Sequence, residues 1–146
     1  MAAENPVLTG IGVVVFNKNG EFLMMKRISK HAFGTYAVPG GWLESFESFE
    51  EAAAREVKEE VDLEIENVKV LGITNNMFPA ENKHTVAVLL AATIKDGFEP
   101  RIMEPHKCER LFWHKDWQHM PEPQMAPYTQ YVSQADLDRY WALVRK

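Results

Sequence analysis

Cysteine is nearly absent. Cys108 is the one such residue in 146, so no internal disulfide can form, which fits a reducing compartment. Positive charge is also in deficit, with 16 Lys and Arg against 21 Asp and Glu and a formal net charge of −5. Proteins that track nucleic acids need a basic surplus, so no polymeric nucleic acid is expected as a partner. No apolar run reaches the ~20 residues of a membrane-spanning helix. The opening MAAENPVLTG lacks a basic segment leading into an apolar core. A cytoplasmic protein with no membrane partner is therefore expected. The histidines, His31, His84, His106, His114 and His119, show no metal-ligand spacing. Repeats, low-complexity tracts and linkers are missing too. The length and the 46% hydrophobic content fit one globular domain over residues 1–146.

What is present in quantity is carboxylate, gathered in GWLESFESFEEAAAREVKEEVDL, from Gly41 to Leu63. Ser48 and Glu51 have capping-box spacing, and Phe49 to Val61 is free of Gly and Pro, so a helix is predicted there. On a helical wheel with Glu56 at zero, Phe49, Ala53, Val57 and Val61 form one apolar stripe. Glu60 falls at about 40°, inside the stripe, with Glu56 on its edge and Glu59 at about 300°, just beyond. A solvated charge run would lie opposite the apolar face. Inward acids are costly unless a cation meets them, and oxygen-only donors favour Mg2+ or Mn2+. The bland alternative is a surface helix whose Arg55 and Lys58 satisfy the acids. Arg55 is expected to orient them by i, i+4 pairing with Glu51 and Glu59.

Around this helix the chain reads as alternating elements. Leu8 to Phe16 is a nearly continuous apolar strand of the kind covered on both faces. Asn17 to Gly20 is a turn, and Glu21 to Arg27 returns as a strand. Tyr36 to Gly41 is a short strand ending in the Gly40–Gly41 pair, which lets backbone approach a ligand or metal closely. Strands are expected at Asn67–Asn75, Lys83–Ile94 and Lys107–Trp113, with a hairpin connection at Met77–Asn82 and a loop at Asp96–His106. A Pro-rich connection leads to a final helix capped by Ser133, with Leu137, Tyr140, Trp141 and Val144 on one face. Two helices and five or six strands give an α/β/α sandwich.

The pattern G-x5-E-x7-R-E-U-x-E-E-x-x-U, with U apolar, is filled by Gly41, Glu47, Arg55, Glu56, Val57, Glu59, Glu60 and Leu63. It resembles the signature box of the Nudix hydrolases. Asp62 replaces a Gly that usually ends the box helix, and Phe46 replaces a Gly ahead of the box acid. Neither change removes an acid. A second stretch, Glu99 to Trp113, resembles a eukaryotic-type subgroup. That subgroup acts on oxidised or otherwise modified guanine nucleotides, with plant relatives acting on other small diphosphates. The resemblance implies a Nudix-type α/β/α fold with a mixed sheet between helices, and an Mg2+-dependent (or Mn2+-dependent) diphosphatase. The metal set would be Glu56, Glu59, Glu60 and the Gly40 carbonyl, with Arg55 supporting the catalytic acids. Arg27, better suited than Lys26, would hold phosphate, with Gly41 and Glu44 at the substrate. For Glu44 a solvated loop acid is the alternative reading. Glu109 could add an acid near the metals, or serve as a structural loop acid. His31 could reach phosphate, and Phe78, Phe112 or Trp113 could stack on a base or belong to the core. A nucleoside triphosphate would give a monophosphate and pyrophosphate. The alternatives are NADH or another dinucleotide, a prenyl diphosphate, or a catalytically silent nucleotide-binding module. A homodimer is implied as well.

Overall fold

The computed structural model describes residues 5–145. Residues 1–4 and 146, included in the single-domain expectation, lie outside the described residues. The sheet is built on β1 (Leu8–Phe16), which pairs in parallel with β6 (Lys83–Ile94) over its whole length. On its other edge β1 meets two antiparallel partners at opposite ends: β2 (Phe22–Arg27) at Phe16 and β4 (Gly40–Trp42) at Gly10 to Gly12. Beyond β2 lie β3 (Tyr36–Ala37) and β7 (Cys108–His114), and β5 (Ile65–Phe78) pairs antiparallel with β6. The sheet is therefore mixed, as expected.

Successive β1 side chains feed two cores, because strand side chains alternate between faces. Ile11, Val13 and Val15 pack with Ala52, Ala53, Val57 and Val61 of α1 (Phe49–Val61). Val14 and Phe16 pack with Trp117, α2 (Tyr128–Tyr131) and α3 (Gln134–Val144), through Tyr128, Leu137 and Tyr140. Both faces are covered by helix, which confirms the sandwich. Phe49 is a correction: it was placed on the buried stripe but is 38% exposed at the helix start.

Other differences have local causes. The Tyr36–Gly41 stretch is two short strands parted at Pro39, whose carbonyl accepts from the Val13 N–H. β5 begins earlier than expected, where Asn67, at φ 56°, forms a bulge that shifts the register between Glu66 and Lys69, and ends later because Asn76 to Phe78 pair with Lys83 to Thr85. Exposed Val70, Ile73 and Met77 further blur its alternation. The Pro-rich connection, Met120 to Pro127, runs between a 3-10 turn at Trp117–His119 and α2. Trp117 is fully buried there, and its indole N–H donates to the Val132 carbonyl at 2.7 Å.

Candidate active site

The acidic helix is set by its ends. Ser48 Oγ accepts from the Glu51 N–H while the Glu51 carboxylate accepts from the Ser48 N–H, so the capping box is complete. At the far end Asp62 takes the left-handed conformation (φ 57°) that terminates the helix, and its carboxylate is paired with Lys58 and Arg101. With Val57 and Val61 anchored in the core, Glu56 and Glu60 are turned toward β4. The glycine pair makes room for them. A Cβ on Gly41 would fall on the Glu56 carboxylate, and one on Gly40 would run into the Ile11 carbonyl. The Gly40 N–H donates to Glu60 Oε1 at 2.7 Å.

Arg55 organises the near side, though not by the pairing expected. Its guanidinium grips Glu47 through two hydrogen bonds (2.7 and 2.9 Å), donates to Glu56 Oε1 at 2.7 Å and to the Trp42 carbonyl at 3.0 Å. Glu59 is a longer contact at 3.6 Å, and Glu51 is occupied in the capping box instead. Glu47 is held down to about 2 by its hydrogen bonds from Arg55. Glu56 moves the other way: burial raises its pKa, hydrogen bonding and attraction from Arg55 oppose this, and the charges of Glu59 and Glu104 add to the rise. Glu60 is pushed up to about 8, chiefly by burial. The Gly40 N–H and Arg27 offset part of that shift, and the charges of Glu56 and Glu104 reinforce it. Glu60 is open to the cavity on one side and packed by protein on the others.

Glu56, Glu59 and Glu60 line a cavity of about 630 Å³. Arg27, Lys30, Lys83 and Lys107 line it too, so basic and acidic charge face a common space. Lys26 does not line it; that side chain pairs with Glu109 at 3.4 Å and lies over the Tyr36 ring. Arg27 lines the cavity, and its guanidinium braces the following loop through Ser29 Oγ (2.6 Å) and the His31 carbonyl. His31 lies at the cavity too, joined to Glu81 at 2.7 Å and edge-on to Phe78.

The other candidates divide between the cavity and its surroundings. Glu44 is not among the lining residues; it sits outside the cavity, 3.4 Å from Arg55. Glu109 is similarly remote, half exposed beside Lys26. Phe112 and Trp113 pack against the two cores, whereas Phe78 and Trp42 do line the cavity. Glu104 was missed as a site residue. Its segment is tied to the end of α1 by Arg101 N–H to the Val61 carbonyl (2.9 Å) and Met103 N–H to the Glu60 carbonyl (3.1 Å), which brings it to the acidic wall. The Glu104-Pro105 pair in the Glu99–Trp113 stretch was its only sequence signal.

Among the described residues, no three acidic, His or Cys side chains are already drawn together around a point where a metal could bind. The chemistry of the wall still fits a hard cation. Glu56 and Glu60 are carboxylates whose charge is disfavoured by burial and by neighbouring acids, and the glycine pair brings backbone against them.

Comparison with known proteins agrees with this arrangement. The description "NUDIX domain" matches residues 7–136. A solved structure, the MutT NUDIX hydrolase from Burkholderia pseudomallei, is 27% identical and superposes with a TM-score of 0.76, covering 92% of this chain and 98% of that one. An ADP-ribose pyrophosphatase of Methanocaldococcus jannaschii is 29% identical over 83 residues, 57% of this chain and 49% of the relative. An 8-oxo-dGDP phosphatase of Danio rerio is 34% identical over 61 residues, 42% of this chain and 19% of the relative. The aligned part thus spans half or less of these two curated relatives. With a family match that takes in both the glycine pair and the acidic helix, the chain belongs to the Nudix domain family.

Proposed function

We propose that this protein is an Mg2+-dependent hydrolase of a diphosphate linkage in a small nucleotide, the leading reaction being a nucleoside triphosphate to its monophosphate and pyrophosphate. The observation that carries this reading is the two-signed cavity, with Glu56, Glu59, Glu60 and Glu104 facing Arg27, Lys30, Lys83 and Lys107. Cationic side chains suit the substrate's phosphates. The acids would repel the same phosphates, and a divalent cation between them resolves the conflict. Glu56, Glu59 and Glu60 would hold Mg2+ or Mn2+, with the Gly40 carbonyl and Glu104 beside them. When bound, such an ion neutralises phosphate charge and lowers the pKa of water.

The chain's own groups then have distinct tasks. Arg27 holds a phosphate and keeps it from turning. Glu59, whose side chain is 56% exposed, can accept a proton from the attacking water. Arg55 keeps the Glu56 carboxylate aligned while Glu47 and the Trp42 carbonyl fix Arg55 itself. Gly41 permits the close approach of Glu56. Glu44 contributes only charge, from the outer side of Arg55.

Modified or oxidised purine nucleotides are the favoured substrates, on the strength of the Glu99–Trp113 stretch and the Danio rerio relative. The Methanocaldococcus jannaschii relative favours a second reading, a dinucleotide-like diphosphate such as ADP-ribose. No described helix is long and apolar enough to cross a membrane, in keeping with the cytoplasmic reading, and a homodimer remains part of the proposal. The test is chromatographic product analysis for nucleoside triphosphates (an oxidised guanine nucleotide included), ADP-ribose, NADH and a prenyl diphosphate, with Mg2+ and with EDTA; ADP-ribose and NADH would each split into two monophosphates. Pyrophosphate release from triphosphates only with Mg2+ is expected. Cleavage of none of them would reduce the protein to a silent nucleotide-binding module.

A further inference from the structure

The proposed chemistry explains the charged walls of the cavity but not its floor. There the sheet presents Gly10 and Gly12 of β1, Thr85 and Ala87 of β6, and Thr74 and Asn76 of β5. Farther along the same sheet face Val14, Phe16, Leu89 and Ala91 are apolar core. A covered face of this kind is ordinarily apolar throughout. Here Thr74, Asn76 and Thr85 are only 1%, 3% and 6% exposed, yet polar.

Their hydrogen bonding is incomplete. Asn76 lies directly across from Thr85, and its Nδ2 donates to Thr85 Oγ1 at 3.1 Å. Asn76 Oδ1 and Thr74 Oγ1 have no partner among the described residues. Buried polar atoms are almost always paired, so unpaired ones lining a cavity mark a ligand's place. The neighbours on the floor are small. Gly12 is closely walled by Leu89 and Val38, at 3.1 and 3.2 Å from where a Cβ would stand, and Gly10 by the Gly41 carbonyl at 3.3 Å and the Trp42 ring at 3.8 Å, so a larger residue at either position would crowd the cavity's wall.

We infer that this floor receives the substrate's nucleobase, with the Asn76 amide and the Thr74 hydroxyl hydrogen-bonding its polar edge. The inference rests on the hydrolase reading above and names the group that the diphosphate carries. A base is flat enough for a floor of small residues, and its edge bears N–H groups for the Asn76 carbonyl oxygen. The hydroxyl can donate or accept, so it suits either kind of ring atom. A prenyl chain would leave both oxygens desolvated and unpaired, which disfavours that class. Thr74 and Asn76 are thus specificity-determining residues, separate from the acids that face the phosphates.

The test measures binding of AMP, GMP, CMP and UMP, which carry no anhydride to cleave, by calorimetry with Mg2+, and pyrophosphate serves as a base-free probe. It compares the wild-type chain with Thr74→Val, Asn76→Leu and the milder Asn76→Ser, each first checked by a melting curve. At least one monophosphate is expected to bind. Its affinity should fall about tenfold in a folded variant at either position, the order of preference among the bases should change, and pyrophosphate binding should not. The inference is overturned if the wild-type chain binds none of the monophosphates. Unchanged affinity and order in Thr74→Val, which keeps the shape of the side chain, would also overturn it. Turnover separates this idea from the hydrolase reading. Base-selective binding by a protein that cleaves no anhydride would sink the reaction and leave the floor standing. Nucleoside triphosphate cleavage with unaltered base preference in the folded variants would do the reverse.

Discussion

Glu60 is a carboxyl that folding places where its charge is unwelcome. Its pKa moves from 4.5 to about 8, so between those values the folded chain keeps a proton that the unfolded chain has released. Stability without divalent cations should therefore fall as pH rises from about 4.5 to about 8, with a slope of up to about 1.4 kcal/mol per pH unit, and level off above. Glu60→Gln removes this share of the dependence and leaves that of Glu56. Urea denaturation in EDTA should find the variant more stable than wild type at pH 8 and nearly equal to it at pH 4.5; parallel curves for the two proteins would refute the burial argument. Gly41 provides a second test. In Gly41→Ala the new methyl group must displace the Glu56 carboxylate, the far end of a flexible side chain, so the fold should survive. Turnover should drop about a hundredfold for an ångström-scale displacement, with an unchanged circular dichroism spectrum. Gly40 differs, because a methyl there meets backbone, and Gly40→Ala should lower the melting temperature.

The elements were legible to the degree that their determinants are local. Helix α1 starts where Ser48 and Glu51 require, and Ser48→Ala should cost about 1 kcal/mol in urea unfolding. Helix α3 behaves alike, with Ser133 and Asp136 forming its capping box. The inward tilt of Glu56 and Glu60 was also readable, because a helical wheel needs only spacing. What escaped depends on contacts distant in sequence. Arg55 was expected to pair within its own helix, but the better partner is Glu47, brought back by the loop ahead of the helix. Glu104 gains its place from backbone bonds to the end of α1, which no local pattern encodes. The start of β5 was hidden by the bulge at Asn67, and the short helix α2 by the prolines around it.

At the scale of the whole molecule, the sheet separates two duties. One core fixes α1 and so aims the acids, while the other holds α3 and the Trp117 segment. Leu137→Ala, made in the second core and away from the cavity, should cost about 2–5 kcal/mol of stability yet leave turnover at low temperature close to wild type. A matching loss of turnover in that variant would mean that the two layers are coupled. The meeting of opposite charges in one cavity matters most, since it is a cation that makes inward acids and a polyphosphate compatible. Pyrophosphate release from nucleoside triphosphates across an Mg2+ titration, for wild type and Glu60→Gln, tests this directly. Wild type should show saturable dependence on Mg2+, and the variant should lose at least about a hundredfold in turnover. Near-wild-type turnover of Glu60→Gln at saturating Mg2+ would contradict it.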